Sequence, residues 1–117
     1  MRELLQEVLD RIPGALGASV VGLDGLLVEK ATARDDVNID LASAEGIGLV
    51  KRAIASPQAR EGEPPDEISI AWGTRMTILR ALGPDYYLCV LIDAEAIPGR
   101  ARFEAWRAGQ QLREAIR

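Results

Sequence analysis

Two segments of this chain are apolar, aromatic or small at every position: Leu16-Gly17-Ala18-Ser19-Val20-Val21-Gly22-Leu23 and Tyr86-Tyr87-Leu88-Cys89-Val90-Leu91-Ile92. Both have the length and composition of β-strands, whose side chains alternate between two faces. Neither face of such a strand tolerates water, so the sheet must be covered on both sides where these two lie. A length of 117 residues suits one core-bearing unit. The reading is a single domain, 1–117, in which helical layers sandwich a sheet and strands 16–23 and 86–92 run through its centre.

The other segments supply the layers. Residues 2–12 carry Leu4, Leu5, Val8, Leu9 and Ile12 at helical spacing, and Pro13-Gly14 stops the helix. Asp24-Gly25 reads as a two-residue type I′ hairpin turn between strand 16–23 and a return strand, Leu26 to Ala31. After a polar loop, 32–38, helical periodicity returns from about Ile39 to Ser56, and Pro57 bars its continuation. Within it, Ile39, Ser43, Gly46, Ile47, Val50 and Ile54 share a face, with Ala42, Leu49 and Ala53 beside them. The loop 57–66 leads to three strands, 67–72, 74–82 and 86–92, turned at Gly73 and Gly83-Pro84-Asp85. Pro98-Gly99 precedes a last helix, roughly 100–116. The order α-β-β-α-β-β-β-α has tight strand links except through the second helix, so the sheet is largely antiparallel. Strand 67–72 sets Ile68, Ile70 and Trp72 against Ser69 and Ala71, the alternation of a less covered strand at an edge.

Composition narrows the function. There is no histidine, which removes the commonest general base and transition-metal ligand. One cysteine, Cys89, cannot form an internal disulfide, and it sits in the most apolar strand as inert core. No apolar run approaches the roughly 20 residues of a membrane span. The net charge of −4 disfavours nucleic acid, and a cytoplasmic protein is expected. Asp35, Asp36 and Asp40 lack calcium-loop spacing, and Asp36 or Asn38 serves better as a helix cap. No Gly-x-x-x-x-Gly-Lys run is present to cradle a nucleotide phosphate. The expectation is a non-enzymatic protein without cofactor or metal.

The pattern resembles the roadblock (dynein light chain) family, including its bacterial MglB-like members. The likeness lies in the order of elements, Val21-Gly22-Leu23-Asp24-Gly25-Leu26, the small-residue helix Ala42 to Ala53, and Ile97-Pro98-Gly99-Arg100-Ala101-Arg102-Phe103-Glu104. It covers nearly the whole chain. The resemblance implies a profilin-like/roadblock fold of the α/β (α+β) class: a three-layer sandwich with sheet order 2-1-5-4-3, helices 1 and 3 on one face and helix 2 on the other. It implies a homodimer joined through strand 3, with the two copies of helix 2 side by side, acting as a regulator or scaffold for a small Ras-like GTPase. A GTPase-activating role belongs to the same reading.

On that basis the dimer interface is assigned to Ala42, Gly46, Leu49, Ala53, Ile68, Ile70 and Trp72. A glycine at 46, in mid-helix, costs roughly 1 kcal/mol against alanine. Close approach of a second backbone accounts for it, as does close packing on its own sheet; the dimer is the favoured account. Trp72 is either an interface anchor or a core residue beneath a helix. The outward face of the second helix, Leu41, Ala44, Glu45, Gly48, Lys51 and Arg52, mixes apolar and charged positions, and partner binding is assigned to Leu41, Glu45, Gly48 and Arg52. On the last helix Ala101, Ala105, Ala108, Leu112 and Ile116 face the sheet, Phe103 packs against the first helix, and Trp106 is either a partner contact or, the favoured account, lies over its neighbour. Arg100, Arg102, Arg107, Arg113 and Arg117, interrupted by Glu104 and Glu114, form a solvated face. The alternative function is a small-ligand sensor of the PAS or profilin kind, with Tyr86, Tyr87 and Met76 lining its pocket.

Overall fold

Burial on both faces decides the architecture. The computed structural model describes residues 1–116, and Arg117, the last of the basic residues noted above, lies outside them. Strand β1 (Ala15–Gly22) is buried at all eight positions, and β5 (Tyr86–Asp93) at six of eight. They pair with each other, antiparallel, at the centre of a five-stranded sheet of order β2-β1-β5-β4-β3, where β2 is Leu27–Thr32, β3 Glu67–Ala71 and β4 Arg75–Ala81. Every neighbouring pair is antiparallel.

Helices α1 (Arg2–Arg11) and α3 (Pro98–Ala115) cover one face, closing a core of Leu5, Val8, Ile12, Val20, Ile78, Leu88, Val90, Ala105 and Leu112. Helix α2 (Ile39–Ala55) covers the other, closing a core of Val21, Ile39, Ile47, Val50, Leu79, Tyr87, Cys89 and Leu91. Asn38 caps α2: its Oδ1 accepts the Leu41 N–H at 3.1 Å. A buried hydroxyl pair pins the helix to the sheet. Ser43 Oγ on α2 and Ser19 Oγ on β1 are 2.6 Å apart, and the Ser43 hydroxyl donates to the Ile39 carbonyl at 2.7 Å. Buried hydroxyls need such partners.

Several expectations are corrected. Gly46 does not owe its place to a second backbone. A Cβ built there falls 2.7 Å from Leu79 Cδ2, so the glycine lets α2 settle on its own sheet. The first hairpin is not type I′, because only Gly25 has positive φ, at 88°. The Gly25 N–H donates to the Gly22 carbonyl and the Gly22 N–H to the Leu26 carbonyl, which makes a three-residue loop with glycine in the left-handed position. The register of β1 on β2 shifts between Val20 and Val21 just beside it. Helix α3 begins at Pro98, which occupies the first helical position where its missing N–H costs nothing.

Glu104 is buried rather than solvated, because the helical phase that turns Ala101 and Ala105 inward carries it toward α1; Arg107 Nε meets its carboxylate at 3.5 Å. The basic face of α3 is largely spent on its own chain. Arg102 donates to Ser69 Oγ at 2.9 Å and pairs with Glu67, Arg107 pairs with Glu7, and Arg113 donates to the Ala81 carbonyl. Phe103 points to solvent instead of packing on α1, its ring centroid 6.2 Å from that of Trp106, itself about half exposed.

The two glycines of α2 make opposite predictions. Gly46→Leu forces a side chain against the enclosed Leu79 and should lower the unfolding free energy by about 1–3 kcal/mol. A Cβ at Gly48 meets nothing within 4 Å, so Gly48→Ala should raise stability by up to about 1 kcal/mol through helix propensity. Urea unfolding of both variants at one protein concentration checks the pair; equal effects would contradict the packing described.

Candidate functional site

Helix cover ends before the sheet does. Helix α2 lies over β1 and β5, and β3 at the far edge pairs only with β4. The Trp72 N–H donates to the Arg75 carbonyl and the Ala81 N–H to the Asp66 carbonyl. With the β3–β4 register, these bonds make the even residues 66 to 72 the hydrogen-bonded partners of β4. Glu67, Ser69 and Ala71 therefore turn their backbone N–H and C=O groups out from the edge. An exposed row of this kind is a template for another strand.

Between α2 and this edge runs an open groove of about 340 Å3. Leu41, Ala42, Glu45, Gly46 and Leu49 form its helix wall, Ile70 and Trp72 its β3 wall, and Thr77 and Leu91 part of its floor, with Thr74 and Arg75 at one end. Trp72 is 59% exposed here, so it is not a core tryptophan beneath a helix. Of the residues assigned to a dimer, Ala42, Gly46, Leu49, Ile70 and Trp72 are brought together in this groove. Ile68 instead packs against the α2-side core, and Ala53 borders a separate cleft with residues of the 58–66 loop. Of the partner-binding set, Leu41 and Glu45 stand on the groove rim, and Gly48 and Arg52 face solvent. The outward N–H and C=O row of β3 escaped sequence reasoning, because which backbone groups face out depends on the pairing register.

Cys89 and Tyr87 are both held within the fold. The Cys89 thiol is fully buried, and burial pushes its pKa up to about 12 against the hydrogen bonding of Ser43 and Ser19. Burial, with the Asp66 carboxylate nearby, likewise raises the Tyr87 phenol, whose hydroxyl donates to the Pro65 carbonyl and ties down the 58–66 loop. Tyr86 borders a shallow cleft with Asp24 and Asp85, and Met76 packs toward the α1–α3 side. The three residues proposed to line a ligand pocket are therefore not gathered in one cavity. Among the described residues, no helix is long and apolar enough to cross a membrane.

No protein-family model and no curated protein matches the sequence. Solved structures do. A roadblock/LC7 domain from Streptomyces avermitilis superposes with a TM-score of 0.86 at 18% identity, over 99% of this chain and 97% of that one. An MglB in a tetrameric arrangement gives 0.82 at 18% identity, over 96% of this chain and 84% of its own. MglB from Myxococcus xanthus gives 0.81 at 14% identity, over 98% and 93%. At these identities the likeness is one of fold, and the chain has the roadblock/LC7 fold.

The two buried acids set an alkaline limit. Both release their protons more easily in the unfolded chain, from near 9 for the thiol, so stability should fall as pH rises above about 9. Cys89→Ala should flatten part of that fall, read by urea unfolding at pH 8 and pH 10. A folded-state thiol that reacts with a disulfide reagent at pH 8 as fast as an unfolded one would refute the assignment of Cys89 as inert core.

Proposed function

We propose that this chain is a homodimeric, non-enzymatic regulator or scaffold of the roadblock family, MglB-like and bacterial, which binds and regulates a small Ras-like GTPase in the cytoplasm. A GTPase-activating role is part of the proposal. The observation that carries it is the open β3 edge beside an apolar groove: an edge strand open on one side, with Ile70 and the exposed Trp72 on one face, is a hazard in a monomer and an interface in a dimer. Antiparallel pairing of β3 with β3 of a second copy would engage the outward groups of Glu67, Ser69 and Ala71 and join the two sheets into one. It would also carry the two α2 helices to either side of one seam, over the groove. The resemblance of the sequence and the likeness of fold support this reading together.

The GTPase is assigned to the outward crest of the paired α2 helices. There Leu41, 55% exposed, stands with Gly48 and Arg52, while Glu45 lines the groove toward β3 and Lys51 lies on the opposite flank. Apolar and charged groups mixed in this way suit an interface that forms and dissolves.

Sedimentation equilibrium at micromolar concentration should find a species of twice 12.7 kDa. Ser69→Pro removes an N–H that points away from β4, so it should leave the monomer folded and abolish the dimer. A wild-type chain that sediments at 12.7 kDa throughout ends the homodimer proposal. Leu41→Asp should keep the dimer and lose capture of a GTP-loaded Ras-like GTPase in pull-downs. Undiminished capture by that variant would move the docking site off α2.

A further inference from the structure

Glu45 and Arg52 are exposed, and among the described residues neither has a hydrogen-bond or ion-pair partner. Lys51 on the same helix and Arg75 at the end of the groove are likewise without a side-chain partner among the described residues, whereas Asp40 pairs with Lys30 at 2.7 Å. Glu45 lines the groove beside β3. Arg52, seven residues on, returns to within about 20° of the same side of the helix, roughly 10 Å further along its axis. This stretch of α2 therefore carries an acid at one end and a base at the other.

A flank with that order is complementary to itself when reversed. A two-fold axis perpendicular to α2 and passing between Gly48 and Leu49 lays a second α2 alongside in the opposite direction. Glu45 then meets Arg52 of the second copy, and Arg52 meets its Glu45. The same axis suits the sheet. Helix α2 and β3 run alongside in opposite directions, with Asn38 at the end near Trp72 and Arg75, and Ala53 at the end near Pro65 and Asp66. The middle of α2 therefore lies beside the middle of β3, and one axis serves both seams.

We propose that Glu45 and Arg52 form two reciprocal ion pairs with a second copy of this chain, which set the register of the paired α2 helices and select an identical partner over one with different charges. This rests on the homodimer proposed above, and it assigns these two residues to self-recognition, leaving Leu41 and Gly48 on the crest. Reversing one sign places like charges at both symmetric contacts.

The test uses Glu45→Arg, Arg52→Glu and the double variant in full-length protein, with circular dichroism to confirm folding and sedimentation velocity at low salt to read the dimer. Each single variant should dimerise about ten-fold or more weakly than wild type, since like-charge juxtaposition at an interface is strongly unfavourable. The double variant should dimerise as wild type does. An equimolar mixture of the two single variants should form a heterodimer near wild-type strength, because one of its two contacts then joins the two substituted side chains and the other the two native ones, each an acid against a base. General damage to α2 would not be repaired by mixing. If the single variants dimerise like wild type, or the mixture stays apart, the ion-pair assignment is overturned while the homodimer stands. Single variants that dimerise normally yet lose GTPase capture would give this flank to the partner and overturn it equally. A monomeric wild type overturns the homodimer itself.

Discussion

The constraint on which everything else depends is the burial of β1 and β5 on both faces. Their side chains leave no wet side, so the helices must gather over the middle of the sheet, α2 above and α1 with α3 below. The Ser19–Ser43 contact and the fit of Gly46 over Leu79 hold α2 close in that position. One helix is not wide enough to reach the edge from there. The groove and the bare β3 edge are thus the remainder of a covering problem solved at the centre, and the surface proposed for self-association arises where the cover stops.

Much of this was legible in the order of residues because it rests on local rules. Uninterrupted apolar strands, Asn38 before a periodic run and Pro57 after one act within a few residues. Sheet order and the placement of the helices came instead from the family resemblance. Of the groove, Ala42, Leu49, Ile70 and Trp72 were visible through periodicity, since positions flanking a buried stripe must border whatever the stripe covers.

What escaped depended on neighbours distant in sequence or on small angles. Nothing near Gly46 announces Leu79, 33 residues on, as the side chain that fills its space. Glu104 reads as solvated by type, and only the phase of α3 against α1 shows it buried beside Arg107. The arginines of α3 read as a basic face, yet three of them reach carboxylates, a hydroxyl or a carbonyl on other elements. The Asp24-Gly25 turn was misassigned because its type depends on a backbone angle at Asp24 that residue type alone does not determine.

The two margins of the sheet differ in a way that bears on how far association can proceed. Strand β3 is regular in register along its length, whereas β2 meets β1 across a register shift, follows directly on a glycine loop and carries Glu29 and Lys30. A smooth strand at both margins would let copies add without limit and build a fibre from the same contact that builds a pair. With one margin kinked and charged, growth through β3 in the homodimer proposed above would terminate after a single addition. In that assembly the irregular hairpin at residues 22–26 would act as a chain stop, restricting an adhesive sheet to a finite particle.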